Sequence, residues 1–141
     1  MKNLSRITVF ALASAAGLQW SSGATTIGYY SFEEGTAGNT ATVAGSITDG
    51  SGNGFHGSPS GGPVYSALTA TGASGSVSLQ FDGTNDSVQI AHDAAFQPTV
   101  GFSVEFWMMS NESDTGQHLL VDKSHGFADS TGWAFQSLPG A

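Results

Sequence analysis

The chain predicts an all-β fold, and three observations carry that reading. Gly, Ser and Thr are abundant and separate short runs of β-branched and aromatic residues. Apolar and polar side chains alternate with period two through 76–82. No segment carries an apolar stripe of helical spacing longer than about two turns. The predicted strands are 26–32, 64–70, 76–82, 87–91, 102–109, 118–123 and 132–137.

Taken in order, the first strand collects Tyr29, Tyr30 and Phe32. The stretch 35–62 that follows is rich in Gly, Ser and Thr, and it reads as a long structured loop because Val43, Ile47 and Phe55 recur at intervals able to pin it to a sheet. In 76–82, Val77, Leu79 and Phe81 face one way while Ser76, Ser78 and Gln80 face the other, which predicts one buried face. Asp82-Gly83-Thr84-Asn85-Asp86 reads as a hairpin turn in which Gly83 or Asn85 takes a positive φ. A single helical turn is expected at Asp93-Ala94-Ala95-Phe96. The strand 102–109 places Phe102, Val104, Phe106 and Met108 on one face and Trp107 and Met109 on the other with Glu105, the pattern of a central strand covered on both sides for part of its length.

Residues 1–24 have the form of a secretory signal peptide. Lys2 and Arg6 precede the apolar run from Ile7 to Ala16, and Ser22-Gly23-Ala24 supplies small residues for cleavage after Ala24, with Ala13-Ser14-Ala15 as a second candidate. The run falls short of the ~20 residues that span a bilayer. The expectation is an exported protein, secreted or at the cell surface, whose single folded domain occupies 25–141.

The 141 residues carry 3 Lys+Arg against 11 Asp+Glu, for a formal net charge of -8. Beyond residue 24 the sole basic side chain is Lys123. Such a surface repels phosphate, which argues against nucleic acid and anionic lipid as partners. The absence of Cys excludes disulfide staples, thiolate catalysis and Cys-ligated metal. A hydrophobic fraction of 39% with 11% aromatic residues is enough for one core.

Catalytic constellations are missing. His56, His92, His118 and His125 lack the spacing of a zinc site, and no Gly-x-Ser-x-Gly marks a nucleophile. Glycosidases of the retaining type need two carboxylates about 5–5.5 Å apart, but Glu105 is followed at the alternate strand positions by Trp107 and Met109. Glu105 is therefore assigned a structural role, and the chain is expected not to be an enzyme. Trp107 and Trp133 are candidates for stacking on sugar rings, against the plainer reading of core side chains.

The segment Asp49-Gly50-Ser51-Gly52-Asn53-Gly54 puts oxygen side chains at alternate positions before a Gly, the way a short loop wraps a hard cation. It begins like an EF-hand loop, but Ser60 stands where the bidentate Glu would be, and flanking helices are absent. Two readings stay open: a structural calcium site using Asp49, Asn53 and carbonyl oxygens, or a Gly-rich turn with no metal.

Five segments in order then point to a family. They are Phe32-Glu33-Glu34-Gly35, Asp49-Gly50-Ser51-Gly52-Asn53-Gly54-Phe55-His56-Gly57, Leu79-Gln80-Phe81-Asp82-Gly83-Thr84-Asn85-Asp86-Ser87-Val88, Phe102-Ser103-Val104-Glu105-Phe106-Trp107 and Leu120-Val121-Asp122-Lys123. In this order the chain resembles the laminin-G-like, concanavalin A-like jelly-roll domains of secreted bacterial proteins, which are related to pentraxins. The resemblance covers about 29–135 and implies an antiparallel β-sandwich. The later "Trp-His-x-Val" and "Tyr-x-Asp-Gly" elements of such domains do not occur, so the expectation is the N-terminal portion of a jelly roll, incomplete at its C-terminus.

Two consequences follow from the resemblance. Calcium in such domains is often held by loops like the one at Asp49 and Asn53, and Asn85 and Asp86 occupy the turn that carries adjacent calcium ligands in the pentraxin branch. The usual work of these domains implies a non-catalytic recognition or adhesion module that binds a glycan or an extracellular protein. An accessory carbohydrate-binding domain of a larger glycoside-active enzyme, or a spacer with no ligand, are the alternatives.

Overall fold

A computed structural model describes residues 4–5, 24–70, 72–99, 101–110, 118–124 and 132–137. Apart from Leu4, Ser5 and Ala24, the segment read as a signal peptide lies outside the described residues. Among the described residues eight short strands form antiparallel pairs: β1 (Leu4–Ser5) with β6 (Met108–Met109), β2 (Gly57–Ser60) with β5 (Ser87–Ile90), β3 (Val64–Ser66) with β4 (Ser78–Gln80), and β7 (His118–Ser124) with β8 (Gly132–Ser137). The only helical element among the described residues is a 3-10 turn, Ala94–Phe96, with Asp93 as its N-cap accepting a hydrogen bond from the Ala95 N–H at 2.8 Å. The protein is thus all-β in character.

Two compact units divide the chain: Met1–Ala91 with Ser103–Asn111, and His92–Phe102 with Glu112–Ala141. The first contains the core, built from Tyr30, Phe32, Ala41, Ile47, Tyr65, Val77 and Leu79, with Phe81 and Val88 packed against it. The alternation expected around Leu79 is present, since Val77 and Leu79 are buried and Phe81 abuts the core. Ser78 on the opposite face is also fully buried, and its hydroxyl donates to the Leu68 carbonyl at 2.6 Å. A buried hydroxyl needs such a partner, so β4 is covered on both faces where one was expected.

The long loop 35–62 is structured, as its composition suggests, and contains β2. Isolated bridges tie it inward, Thr40 to Val64 and Ile47 to Gly57. Ile47 is fully buried and serves as the expected pin, whereas Val43 is 67% exposed and does not. Pro59 sits within β2 without breaking the ladder. The Gly57 N–H donates to the Ile47 carbonyl, and alternate residues of a strand point their N–H groups the same way. Position 59 therefore directs its nitrogen away from β5, where no donor is needed.

Other expectations are modified. The segment 26–32 lies in no ladder, because the Tyr29 N–H donates to the Asp49 carboxylate and the Tyr29 carbonyl accepts from the Gly50 N–H. Asp82–Asp86 is not a hairpin turn: β4 pairs with β3 and β5 with β2, so the turn passes from one sheet to another. It is closed by side chains, with the Asp82 carboxylate accepting from the Thr84 and Asn85 N–H groups and Asp86 accepting from the Asp82 N–H. Gly83, not Asn85, takes the positive φ, at 78°. Within 102–109 only Met108–Met109 is in a strand, and Trp107 is 59% exposed. With no ladder along 102–106, that stretch is not the covered central strand its pattern predicts.

Candidate functional site

Asp49 closes a loop on itself and on the first extended segment. The residue is 5% exposed, and its carboxylate accepts four hydrogen bonds. Oδ1 takes the N–H groups of Tyr29 (3.0 Å) and Ser51 (2.9 Å); Oδ2 takes the Ser51 hydroxyl (2.8 Å) and the Phe55 N–H (3.0 Å). Burial pushes this carboxyl up, but the Ser51 hydroxyl and the N–H groups of Tyr29, Ser51 and Phe55 more than reverse that effect, leaving it below the ordinary carboxylate value. The Asp49 N–H in turn donates to Nδ1 of His56 at 3.1 Å.

Asn53 completes the loop through its amide nitrogen, which donates to the carbonyls of Thr26 (2.9 Å) and Ile27 (3.0 Å) and to the Ser51 hydroxyl oxygen (3.2 Å). The same hydroxyl lies 3.1 Å from the Ile27 carbonyl, which shares its single proton with Asp49 Oδ2. Gly52 and Gly54 make the reversal with φ of 88° and 79°. The alternating oxygen side chains noted in the sequence thus converge, but on backbone N–H and C=O groups.

Asn85 and Asp86 stand elsewhere. The Phe55-His56 end of the Asp49 loop leads into Gly57 at the start of β2, while Gly61, just past its other end, lies against the backbone of Asn85 and Asp86. A four-residue strand spans about 13 Å, so the two candidate pairs sit at opposite ends of β2. Among the described residues no three His, Asp or Glu side chains are gathered as a metal would need.

A carboxylate offers about four lone-pair positions, and all four on Asp49 are filled by protein donors. Calcium seeks six to eight oxygens, charged carboxylates among them. As arranged, the donor set around Asp49 and Asn53 fits the loop's own backbone and does not fit a cation. The turn at Asn85 and Asp86 brings two acids, Asp82 and Asp86, whose carboxylates already accept the backbone N–H groups of Thr84, Asn85 and Asp82.

In the second unit the β7–β8 ribbon carries an aromatic face. Trp133 and Phe135 are alternate residues of β8 and so project to the same side, across from Lys123 and Val121 on β7. The Trp133 ring lies 5.4 Å from that of Phe102 and 6.1 Å, edge-on, from that of Phe135. Its indole N–H donates to the Phe96 carbonyl at 3.0 Å, which fixes the ring. Phe102 and Phe135 remain well exposed. Beside them Lys123 Nζ meets His92 Nδ1 at 2.7 Å. Of the two tryptophans singled out in the sequence, Trp133 therefore joins an aromatic cluster with polar neighbours. Phe102 and Phe135 were not anticipated there, though the Trp-x-Phe alternation at Trp133 and Phe135 was a usable signal.

Compared with protein-family models, with curated proteins and with solved structures, the chain finds no match in any of the three.

Proposed function

We propose that the chain is an exported, non-catalytic recognition module of the laminin-G-like jelly-roll type, which binds a glycan or an extracellular protein. The family reading rests on the five ordered sequence segments. The ligand reading rests on one observation: the half-exposed cluster of Phe102, Trp133 and Phe135, with Trp133 fixed by its bond to the Phe96 carbonyl. An immobilised aromatic face binds the apolar face of a sugar ring, or an apolar side chain, with little ordering cost. Lys123 and His92 beside it can donate to or accept from hydroxyl groups. These features favour a glycan as the first ligand to test.

The test is a glycan array followed by calorimetric titration of the strongest hits. Trp133→Ala is expected to weaken binding about tenfold or more, the loss of roughly 1.4 kcal/mol. Phe135→Ala, which keeps the tryptophan, should weaken it less. Binding that survives Trp133→Ala unchanged would remove the aromatic face from the site, and silence of the native protein toward glycans and candidate proteins alike would leave a spacer.

A further inference from the structure

We infer that the Asp49–Asn53 loop takes the chain's own segment 26–29 as its ligand, and that this internal clasp does the ordering that the resemblance assigns to calcium. The sequence pattern suits a cation because it spaces oxygens along a Gly-rich turn. A cation and a set of N–H donors are interchangeable solutions to one problem, the neutralisation of a buried carboxylate.

The geometry is that of the second solution. The four donors to Asp49 come from three places: the incoming segment (Tyr29), the loop itself (Ser51, through N–H and hydroxyl) and the exit toward β2 (Phe55). The return contacts are equally directed. The Gly50 N–H donates to the Tyr29 carbonyl at 2.8 Å, and Asn53 Nδ2 donates to the Thr26 and Ile27 carbonyls. Segment 26–29 thus has its backbone partners supplied by one loop, where a strand would find them in a neighbouring strand. Calcium could enter only by displacing the N–H groups of Tyr29, Ser51 and Phe55 from the carboxylate oxygens they occupy. The clasp also explains why Asn53 points its nitrogen inward: a calcium ligand would present its carbonyl oxygen.

The experiment is thermal melting of the full chain in excess calcium chloride and in excess EDTA, with amide hydrogen exchange read at Tyr29. The expected result is the same midpoint in both solutions and the same Tyr29 protection. Asn53→Ala, at an exposed position, should keep the fold while speeding Tyr29 exchange at least about tenfold. Asp49→Asn should lower the midpoint by at least about 5 °C, because the new amide N–H2 meets backbone donors. If Asp49→Asn fails to fold, the Asn53→Ala exchange rate still decides the matter. A midpoint that rises with calcium and falls back with EDTA overturns the inference, as does Tyr29 protection untouched by Asn53→Ala. None of these readouts depends on the aromatic face or on any external ligand.

Discussion

A single buried carboxylate shows how a residue type acquires its meaning from its neighbours. Asp49 would be a costly charge in the core region without partners, and four hydrogen bonds turn it into an organiser of two chain segments. Tyr30 lies close enough to feel it: burial and then the Asp49 charge push that phenol well above its ordinary value, and its hydroxyl donates to the Phe55 carbonyl at 2.6 Å. Phe32, the one non-glycine described residue at positive φ (63°), pays ~1–2 kcal/mol for that conformation. It is held there by its buried ring and by the acids that follow it. Glu33 accepts from the Val77 N–H at 3.0 Å, and Glu34 accepts from the Thr48 N–H at 3.3 Å and from the Tyr65 hydroxyl. Burial first, then the charge and hydrogen bond of Glu34, push the Tyr65 phenol up to about 12.

The lowered Asp49 carboxyl predicts an acid limb of stability. A carboxyl whose folded-state value lies below its unfolded value, ordinarily about 4, favours the folded state at all pH above that unfolded value. The contribution is lost progressively as pH falls below it and through the folded value. Urea unfolding from pH 6 downward should therefore show stability falling most steeply below about pH 4, and the slope should flatten in Asp49→Asn. An unchanged slope in the variant would place the acid sensitivity on other carboxylates.

At the scale of elements, β2 and the 82–86 turn explain each other. Gly61 has φ of 86°, and a Cβ there would stand 2.5 Å from the Asn85 carbonyl oxygen. The chain leaving β2 and the turn entering β5 pass each other backbone to backbone, which only glycine permits. Gly61→Ala is expected to destabilise the protein by about 2–4 kcal/mol, combining strain at positive φ with overpacking against a rigid carbonyl. Equilibrium urea denaturation measures it, and a change under about 0.5 kcal/mol would mean that the two backbones separate without cost. The 102–109 segment carries the opposite lesson. Its alternation is that of a sheet interior, yet Phe102 and Trp107 are exposed because strand pattern does not by itself supply a neighbouring strand.

For the whole molecule the governing quantity is charge. With a net charge of -8 and Lys123 engaged by His92, the folded units present little to attract phosphate. Duplex DNA should show no retardation by the protein in gels at low salt, the condition that most favours electrostatic binding. A salt-sensitive shift would reveal a cationic patch that composition does not foretell. Among the described residues no helix is long and apolar enough to cross a membrane, in keeping with the lack of any long apolar run after residue 24.

Strand positions around Leu79, Val88 and the β7–β8 ribbon were legible because each is a local matter: period-two alternation and β-branched or aromatic content state which residues suit a pleated surface. The single turn at Ala94–Phe96 and the positive φ of Gly83 were legible for the same reason, a cap and a glycine acting on their immediate neighbours. What lay beyond the sequence was partnership. Residues 82–86 look like a hairpin until β4 and β5 are seen to choose different sheets, 26–32 looks like a strand until its donor is seen to meet a carboxylate, and Asp49 looks like a cation ligand until four donors are seen around it. The sequence determined several of the extended segments, though not β2, together with where the chain turns at 82–86 and 93–96 and how acidic the protein is. The tertiary structure alone decided what each extended backbone and each buried oxygen bonds to, because those partners lie tens of residues away along the chain and are selected by which surfaces pack together.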